Sequence, residues 1–483
     1  KLTDIGGEFP TWSADGRTVY WSIANALVRY DLDAAAGDPD YTPSEQRIEI
    51  SVPRDIPQGT VVLRGGRIIT MGADGIIENG DIVVTNNHIT SVGPQGAVPA
   101  GAQVIDVSGT TISPGFVDTH AHLRPLWGLH NKRPWMYGAN LAYGVTLTRD
   151  PQTGTTDVLV YSDRVEAGQM AGPRVYSTGP GVFRGEGIHD LDHARSVLRR
   201  YSDYYDTKTF KMYMSGNRRQ RQLLIIAARE LELMPTTEGG LDYRLEMTHA
   251  MDGYPGVEHT LPIWPAYNDV VQLFATSGTV NTPTLLVTYG GPWGENYFYT
   301  HEDVVGDEKL NYFTPKAEID RKARRLQTSG PGPGGWFMED EYMLSKHSAW
   351  IKDLVEGGGK TGVGSHGQLQ GLGYHWEMWA LQSGGMDPHD VLRAATIMGA
   401  EAIGLGGDLG SIEPGKLADL VIMNENPLTN IRNTNTIRYV MKNGRLYEGD
   451  TLNEIWPRQR PAPDAPWRYV APNTAAGIRG GGR

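Results

Sequence analysis

Short apolar runs rich in valine and isoleucine occur in two separate regions of the chain, and both predict β-strands. Residues 60–92 contain four such runs divided by glycine and asparagine turns, and residues 413–445 contain two more. Short β-branched runs bounded by turn residues are typical of strands. Asn443-Gly444 in the second region is a strong hairpin signal.

Between these regions, strand-like runs alternate with amphipathic helical stretches. Residues 222–231 have the helical pattern, and Asp387-Pro388 supplies an N-cap and a first helical residue for a later helix. This alternation predicts an α/β fold, and specifically a (β/α)₈ barrel of the TIM type. Active sites of such barrels lie at the C-terminal ends of the strands.

The N-terminal residues 9–32 predict a β-hairpin with an Asp15-Gly16 turn. The run Pro10-Thr11-Trp12-Ser13-Ala14-Asp15-Gly16 resembles the repeat of a TolB-type β-propeller. Because a blade requires neighbouring blades to cover its faces, we expect this to be a remnant blade that a propeller precedes. An ordinary hairpin packed on the rest of the chain is the alternative.

The candidate chemistry centres on residues 113–122, Ser-Pro-Gly-Phe-Val-Asp-Thr-His-Ala-His. His120 and His122 follow an apolar strand-like run and are two residues apart, so both imidazoles can point to one side. Two imidazoles combined with oxygen ligands are a common way to hold a divalent metal. The motif alone is weak evidence, because short His-x-His matches occur by chance.

The residues before these histidines, Pro114-Gly115-Phe116-Val117-Asp118, make the run resemble the first barrel strand of the amidohydrolase superfamily, the urease-related metal hydrolases. The resemblance covers roughly residues 58–450 and implies a small β-sandwich, built from both ends of the chain, beside the barrel. It also implies that Lys211 matches the fourth-strand lysine, which many members carry in carboxylated form between two metals. His259, in Gly-Val-Glu-His, matches the sixth-strand ligand.

Two positions depart from the family pattern. Glu238 stands where the fifth strand usually has histidine; a carboxylate can still bind a hard or borderline cation, or it can serve as an ion-pair partner. His366 stands where the eighth strand normally has the aspartate that binds a metal and takes the proton from the attacking water. Histidine can be a ligand or a base, but one nitrogen cannot be both. The departure leaves the proton-transfer step open.

The resemblance implies a metal-dependent hydrolase, nearest the imidazolonepropionase- and prolidase-like branch, that cleaves a peptide-like or cyclic amide with a metal-activated hydroxide. We expect one or two zinc ions, with iron or manganese as alternatives, and a catalytic role for His366. The expected ligands are His120, His122, Lys211 (carboxylated), Glu238, His259 and His366. The residues expected to contact a small-molecule or short-peptide substrate are Tyr213, Tyr289 and Arg218, although Arg218 could equally be a solvated helix start.

Two other classes of function stay open. A non-catalytic binding or scaffold protein that kept the barrel would fit the missing eighth-strand aspartate, but such a protein has no need for four convergent metal ligands. A deaminase on the same barrel would require a mononuclear site and the aspartate that is absent.

The composition narrows the range of partners. Lys and Arg number 44 and Asp and Glu 56, a net charge of −12, whereas nucleic-acid binding calls for a basic surface. The chain has no cysteine, which excludes disulfides and thiolate chemistry. No apolar run approaches the ~20 residues of a membrane span.

The expected organisation is a remnant blade and linker (1–50), the first half of the sandwich (51–112), the hydrolase barrel (113–411), the second half of the sandwich (412–457) and an extended tail (458–483). The resemblance to propeller-fused family members favours a periplasmic or secreted location. Self-association into a homo-oligomer is a further expectation.

Overall fold

The N-terminal part of the chain forms a four-stranded antiparallel sheet. The structure is a computed structural model that describes residues 1–125, 130–240, 242–287, 291–323, 337–465 and 467. The strands pair in chain order: β1 (Glu8–Trp12), β2 (Thr18–Ile23), β3 (Ala26–Asp31) and β4 (Ser44–Arg47). The predicted hairpin with its Asp15-Gly16 turn is confirmed, and Gly16 has a φ of +67°. A four-stranded meander is compatible with one propeller blade, but the propeller itself stays a prediction.

One face of this sheet packs on the rest of the chain. Trp21 and Val28 are buried, and their cluster includes the partly buried Tyr204. The Tyr204 hydroxyl donates to Glu45 over 2.7 Å, and Arg47 Nη1 donates to the Asp203 carbonyl over 2.7 Å. These contacts favour the alternative of an N-terminal sheet that is part of the body of the protein.

The next strands belong to a larger mixed sheet. They are β5 (Thr60–Ile69), β6 (Ile76–Thr85), β7 (His88–Pro94), β8 (Gln103–Asp106) and β9 (Thr111–Pro114). On one side β5 pairs with β8 along Val61–Arg64 and then with β9 from Arg67. β5 therefore pairs with β8 along its first half and with β9 along its second half. Its pairing with β6 shifts register between Arg64 and Ile68. The chain leaves this sheet at Pro114, shortly before His120 and His122.

The central part of the chain contributes parallel strands. One sheet consists of β10 (Phe116–Asp118), β11 (Val145–Asp150) and β12 (Arg174–Ser177). A second consists of β13 (Val182–Phe183), β14 (Lys211–Tyr213), β15 (Thr236–Glu238), β16 (Gly256–Glu258) and β17 (Val280–Thr282). Isolated parallel bridges join Val363 to Asp118 and Thr361 to Asn281, so residues 361–363 connect the two sheets.

The mixed α/β class is confirmed, whereas a continuous ring of eight hydrogen-bonded strands is not observed among the described residues. The break lies between β12 and β13, which belong to separate sheets. The intervening residues 178–181 include Pro180, which has no amide hydrogen to donate, and Gly179, which has a φ of +63°. The third strand of the expected barrel is therefore interrupted.

Helices separate and cover these strands. They are α1 (Leu32–Gly37), α2 (Trp135–Ala142), α3 (Asp157–Glu166), α4 (Leu191–Arg199), α5 (Arg218–Glu230), α6 (Tyr243–Asp252), α7 (Asn268–Ser277), α8 (Glu295–His301), α9 (Glu308–Phe313), α10 (Lys316–Ala323), α11 (Leu344–Glu356), α12 (Leu372–Ser383), α13 (Pro388–Ala395) and α14 (Ile397–Ala402). The predicted helix start at Asp387-Pro388 is confirmed, since Asp387 Oδ1 accepts from the His389 amide over 2.8 Å. None of the helices in the described ranges has the length and hydrophobicity that crossing a bilayer requires.

The chain then returns to the mixed sheet through β18 (Leu420–Met423), β19 (Ile437–Lys442), β20 (Arg445–Glu448) and β21 (Glu454–Trp456). β18 lies antiparallel to β9, with Val421 opposite Ser113. Strands from both ends of the chain thus form one nine-stranded sheet with a shared apolar core, as the expected two-part unit requires. The exact domain boundaries stay a prediction.

The turn between β19 and β20 generates a stability prediction. Asn443 and Gly444 have φ values of +53° and +76°, which is the geometry of a tight hairpin turn. A Cβ on Gly444 would collide with the Asn86 carbonyl and approach Asn87 Cα to 2.7 Å, whereas a Cβ on Gly16 meets nothing within 4 Å.

We therefore expect Gly444→Ala to lower the free energy of unfolding by about 2–4 kcal/mol, since backbone strain and overpacking add. Gly16→Ala has the same unfavourable sign of φ without the collision, and we expect it to cost about 1 kcal/mol. Chemical unfolding followed by circular dichroism measures both, and equal losses would contradict the steric argument.

Candidate metal centre

The first strand of the central sheets ends at Asp118, and the two histidines of the motif follow it. The Asp118 carboxylate accepts from the His120 amide over 3.1 Å and from the Ser365 amide over 3.1 Å. The His366 amide in turn donates to the His120 carbonyl over 2.7 Å. These bonds fix residues 118–122 against residues 363–366, so two distant parts of the chain share one site.

Three imidazoles converge there. His120 Nε2 and His122 Nε2 are 3.2 Å apart, and one ring nitrogen from each of His120, His122 and His366 lies within 4.8 Å of the others. His366 has a φ of +57°, and a Cβ on the neighbouring Gly364 would come within 2.8 Å of His120 Cβ. Glycine at position 364 is therefore required for the close approach of residues 118–122 and 363–366.

A second group lies beside these three imidazoles. Lys211 begins β14, Glu238 ends β15 and His259 directly follows β16, and all three are buried. Glu238 Oε2 is 2.6 Å from Lys211 Nζ and 3.1 Å from His259 Nε2. The His259 ring is 5.0 Å from the ring of His120 and 5.3 Å from that of His366, measured between centroids. The structure thus brings together all six residues expected to be ligands.

Each of the four imidazoles has an oxygen atom near Nδ1. His120 Nδ1 lies 2.6 Å from Glu258 Oε2, and His259 Nδ1 lies 2.6 Å from Thr284 Oγ1. His366 Nδ1 is 3.2 Å from Gln368 Oε1, and His122 Nδ1 is 3.6 Å from Asp150 Oδ1. Hydrogen bonds at Nδ1 of His120 and His366 leave their Nε2 atoms with a lone pair, which is how metal-binding histidines are usually held. The 3.6 Å contact between His122 and Asp150 is longer than a hydrogen bond. His259 Nε2 faces the Glu238 carboxylate, which only accepts, so that nitrogen carries hydrogen here.

The interior position controls the charge of the site. Burial, together with the positive charge of Lys211, holds the pKa of His120 and His122 well below the usual range, and burial does the same for the pKa of His366. Burial opposes ionisation of Glu238, but the charges of His259 and Lys211 hold its pKa well below the ordinary value. Burial raises the pKa of Asp150 to about 7. Near neutral pH the three imidazoles are thus neutral and can act as ligands.

The donor geometry fits a metal ion. Two nitrogens bound to one tetrahedral zinc ion, each at about 2.0–2.1 Å, lie about 3.4 Å apart, close to the 3.2 Å between His120 and His122. With hydrogen on each Nδ1, these two Nε2 lone pairs face each other, an arrangement that a shared cation stabilises. His120, His122 and His366 therefore fit one divalent cation, with Glu238 and His259 adjacent.

The residues expected to contact a substrate lie in different surroundings. Tyr213 ends β14, with its ring centre 5.1 Å from Lys211 Nζ, which places it beside the site. Arg218 begins α5, is 49% exposed, and forms an ion pair with Asp252 over 2.7 Å, in keeping with the alternative of a solvated helix start. Tyr289 lies outside the described residues. A role in substrate binding stays a prediction for all three.

Sequence reasoning missed the charged residues behind the imidazoles. Arg149 and Asp150 end β11, and Glu258 ends β16; all three are buried. Arg149 Nη2 donates to Glu258 Oε1, and Arg149 Nε donates to the Thr119 carbonyl over 2.9 Å. Two sequence signals could have revealed them. Arg149 and Asp150 are charged residues at the end of a predicted strand, and Glu258 is adjacent in sequence to the candidate ligand His259.

Comparisons with known proteins agree with this geometry. Residues 312–447 match the amidohydrolase family. The chain is 22% identical over 407 residues to a 5-methylthioadenosine/S-adenosylhomocysteine deaminase of Pelotomaculum thermopropionicum, covering 75% of this chain and 84% of that protein. It is 23% identical over 393 residues to an imidazolonepropionase of Geobacillus kaustophilus, covering 72% and 85%.

The fold is similar to that of a Xaa-Pro dipeptidase crystallised with methionine in its active site, with a TM-score of 0.62 at 18% identity over 81% of this chain and all of that one. The structural likeness supports the fold, and the family match covers the C-terminal part of the central region and most of the returning strands. The chain therefore carries an amidohydrolase-family domain at residues 312–447, and the similar proteins support a hydrolase that acts on carbon–nitrogen bonds.

Proposed function

We propose that this protein is a metal-dependent amidohydrolase that cleaves a peptide-like or cyclic amide bond in a small molecule or short peptide. The observation that carries the proposal is the convergence of His120, His122 and His366 within 4.8 Å. One or two zinc ions, or iron or manganese in their place, would lower the pKa of a coordinated water and polarise the scissile carbonyl.

The side chains have separate tasks in this proposal. His120 and His122 present Nε2 as neutral electron-pair donors; the hydrogen bond with Glu258 holds the ring of His120 in place, and Asp150 lies near His122 Nδ1. His366 contributes its ring either as a further ligand or as the base that takes a proton from water, which is its proposed catalytic role. Its Nδ1 contact with Gln368 keeps Nε2 towards the centre.

The second group supports a larger site if Lys211 is carboxylated. As an ammonium, Lys211 neutralises Glu238 across 2.6 Å. A carboxylated Lys211 would be an anion next to a second anion, and a second cation, bound also by His259, would then supply the missing positive charge. Carboxylation and a second metal ion are therefore proposed together.

The two rival classes have less support. A scaffold protein would have no use for four clustered imidazoles, of which His120 and His259 are buried, since removing polar rings from water costs free energy. A deaminase relative is among the similar proteins, but His366 replaces the eighth-strand aspartate that such a reaction would need.

We also propose, from the resemblance to propeller-fused family members, an upstream propeller segment and a periplasmic or secreted location, and we keep a homo-oligomer as a proposal. Fractionation of the source cells, with detection of this protein by mass spectrometry, tests location and total mass together. A cytoplasmic product with no propeller would contradict both of the first two proposals.

Metal removal tests the main proposal. We expect the purified protein to hydrolyse members of a panel of dipeptides, N-acyl amino acids and cyclic amides, and to lose at least 100-fold in kcat/KM after chelation, because the water loses its activating cation. Zinc, manganese or iron should restore turnover. Full activity in metal-free protein would contradict the proposal.

The role of His366 is tested by His366→Ala, assayed for metal content and turnover. A ligand role predicts that both fall, whereas a base role predicts that turnover falls about 100-fold or more with metal retained. His189→Ala is the matched control, because His189 is 67% exposed and lies beside Asp190 at the surface. Unchanged metal and unchanged turnover in His366→Ala would show that another group accepts the proton.

Carboxylation of Lys211 is tested by reconstituting metal-free protein with zinc in the presence and absence of ¹³C-bicarbonate. We expect a carbamate carbon signal, and a second bound metal ion, only with bicarbonate. Lys208→Ala should leave that signal in place, and Lys211→Ala should remove it. A fully active protein with no carbamate signal would contradict the proposed lysine ligand.

A further inference from the structure

We propose that Glu258 is a positioning residue that sets the tautomer of His120, and that this task requires a carboxylate rather than any side chain of that size. The inference rests on the proposed function in one respect only, that His120 binds a cation. Glu258 belongs to none of the expected ligand positions, and its role follows from the groups that surround it.

Glu258 ends β16 and is fully buried. Its Oε2 lies 2.6 Å from His120 Nδ1. Its Oε1 accepts hydrogen bonds from Arg149 Nη2 and from Thr236 Oγ1. One carboxylate therefore contacts the side chain of Arg149 in β11, that of Thr236 in β15 and that of His120 just after β10, and it directly precedes His259 in the chain.

The hydrogen-bonding groups around Glu258 determine which nitrogen of His120 carries the proton. An arginine guanidinium only donates, so the oxygen of Glu258 that faces Arg149 must accept. An ionised carboxylate only accepts, so the other oxygen requires His120 Nδ1 to donate. The His120 proton then resides on Nδ1, and the lone pair resides on Nε2, which points to His122 Nε2 at 3.2 Å.

Arg149 offsets the free-energy cost of burying the Glu258 carboxylate. A buried carboxylate is costly unless a partner charge and hydrogen bonds compensate for lost water. Arg149, also buried, supplies that charge, and its Nε bond to the Thr119 carbonyl holds the residue that precedes His120. The pair therefore supports both the backbone and the ring of His120.

Glu258→Gln keeps the size of the side chain but replaces one acceptor oxygen with a donor NH₂ group. The amide oxygen has to face Arg149, which places the amide NH₂ towards His120 Nδ1. Nδ1 must then accept, so the proton moves to Nε2 and occupies the lone pair that a cation needs. We expect zinc affinity to fall by about 10–100-fold, the range seen when outer partners of metal-binding histidines are removed.

The experiment combines two measurements on the full chain. ¹⁵N NMR of metal-free protein, with the His120 signals assigned by loss in His120→Gln, reports the tautomer; competition with a zinc chelator reports affinity. Glu454→Gln is the matched control, since Glu454 is likewise buried and paired with Arg445 and Arg458, but lies on β21 of the mixed sheet. It should leave both measurements as in the unmodified protein.

The expected result is hydrogen on His120 Nδ1 in the unmodified protein and on Nε2 in Glu258→Gln, with weaker zinc binding only in the latter. Hydrogen on Nε2 in the unmodified protein, or unchanged zinc affinity in Glu258→Gln, would overturn the inference. Because the first measurement needs no variant, a misfolded Glu258→Gln protein does not remove the test. An unmodified protein with Nδ1–H that fails to bind zinc would count against the proposed function alone.

Discussion

An imidazole placed in a water-poor interior needs a partner for each ring nitrogen, and this constraint organises the central part of the molecule. Four imidazoles lie together, and each finds an oxygen near its Nδ1 on a different element: Glu258, Asp150, Thr284 and Gln368. Because the Nδ1 atoms are directed outwards to these partners, the opposite edges of the rings gather at the centre. The convergence of Nε2 atoms is thus a consequence of how the surrounding strands end.

Asp118 links this arrangement to the backbone. Its Oδ1 accepts from the amides of His120 and Ser365, and its Oδ2 accepts from Ser365 Oγ over 2.5 Å. A single carboxylate thereby closes the turn after β10 and holds residues 363–366 alongside it. Burial raises the pKa of Asp118 to about 6, and the three hydrogen bonds oppose that rise. The proximity of His120 and His366 depends on this residue even though neither ring touches it.

Local sequence signals predicted much of this structure. The Asn443-Gly444 turn, the start of α13 and the α/β class follow from short-range rules. His120 and His122 were recognisable from the apolar run before them, whereas the other four expected ligands came from the resemblance to the amidohydrolase superfamily. The partners of the rings were not predictable in this way, since His120 and Glu258 are separated by 138 positions and their pairing depends on strand order. The interruption at Pro180 was not predicted, because the expected barrel has a continuous third strand and the Gly179-Pro180 pair was not considered. The interior role of Arg149 was missed because arginine is rarely buried.

The two sides of the site differ in charge, which couples their chemistry. On one side, the three imidazoles of His120, His122 and His366 are neutral, and the carboxyl groups of Glu258 and Asp150 lie behind the rings. On the other side, Glu238 already has a positive partner in Lys211, with His259 against the same oxygen. Under the proposed function, a second cation beside Glu238 would face the ammonium group of Lys211 unless that group were carboxylated. The proposal therefore ties the number of metal ions to the chemical state of one lysine, because the three-histidine side contains no such cationic group.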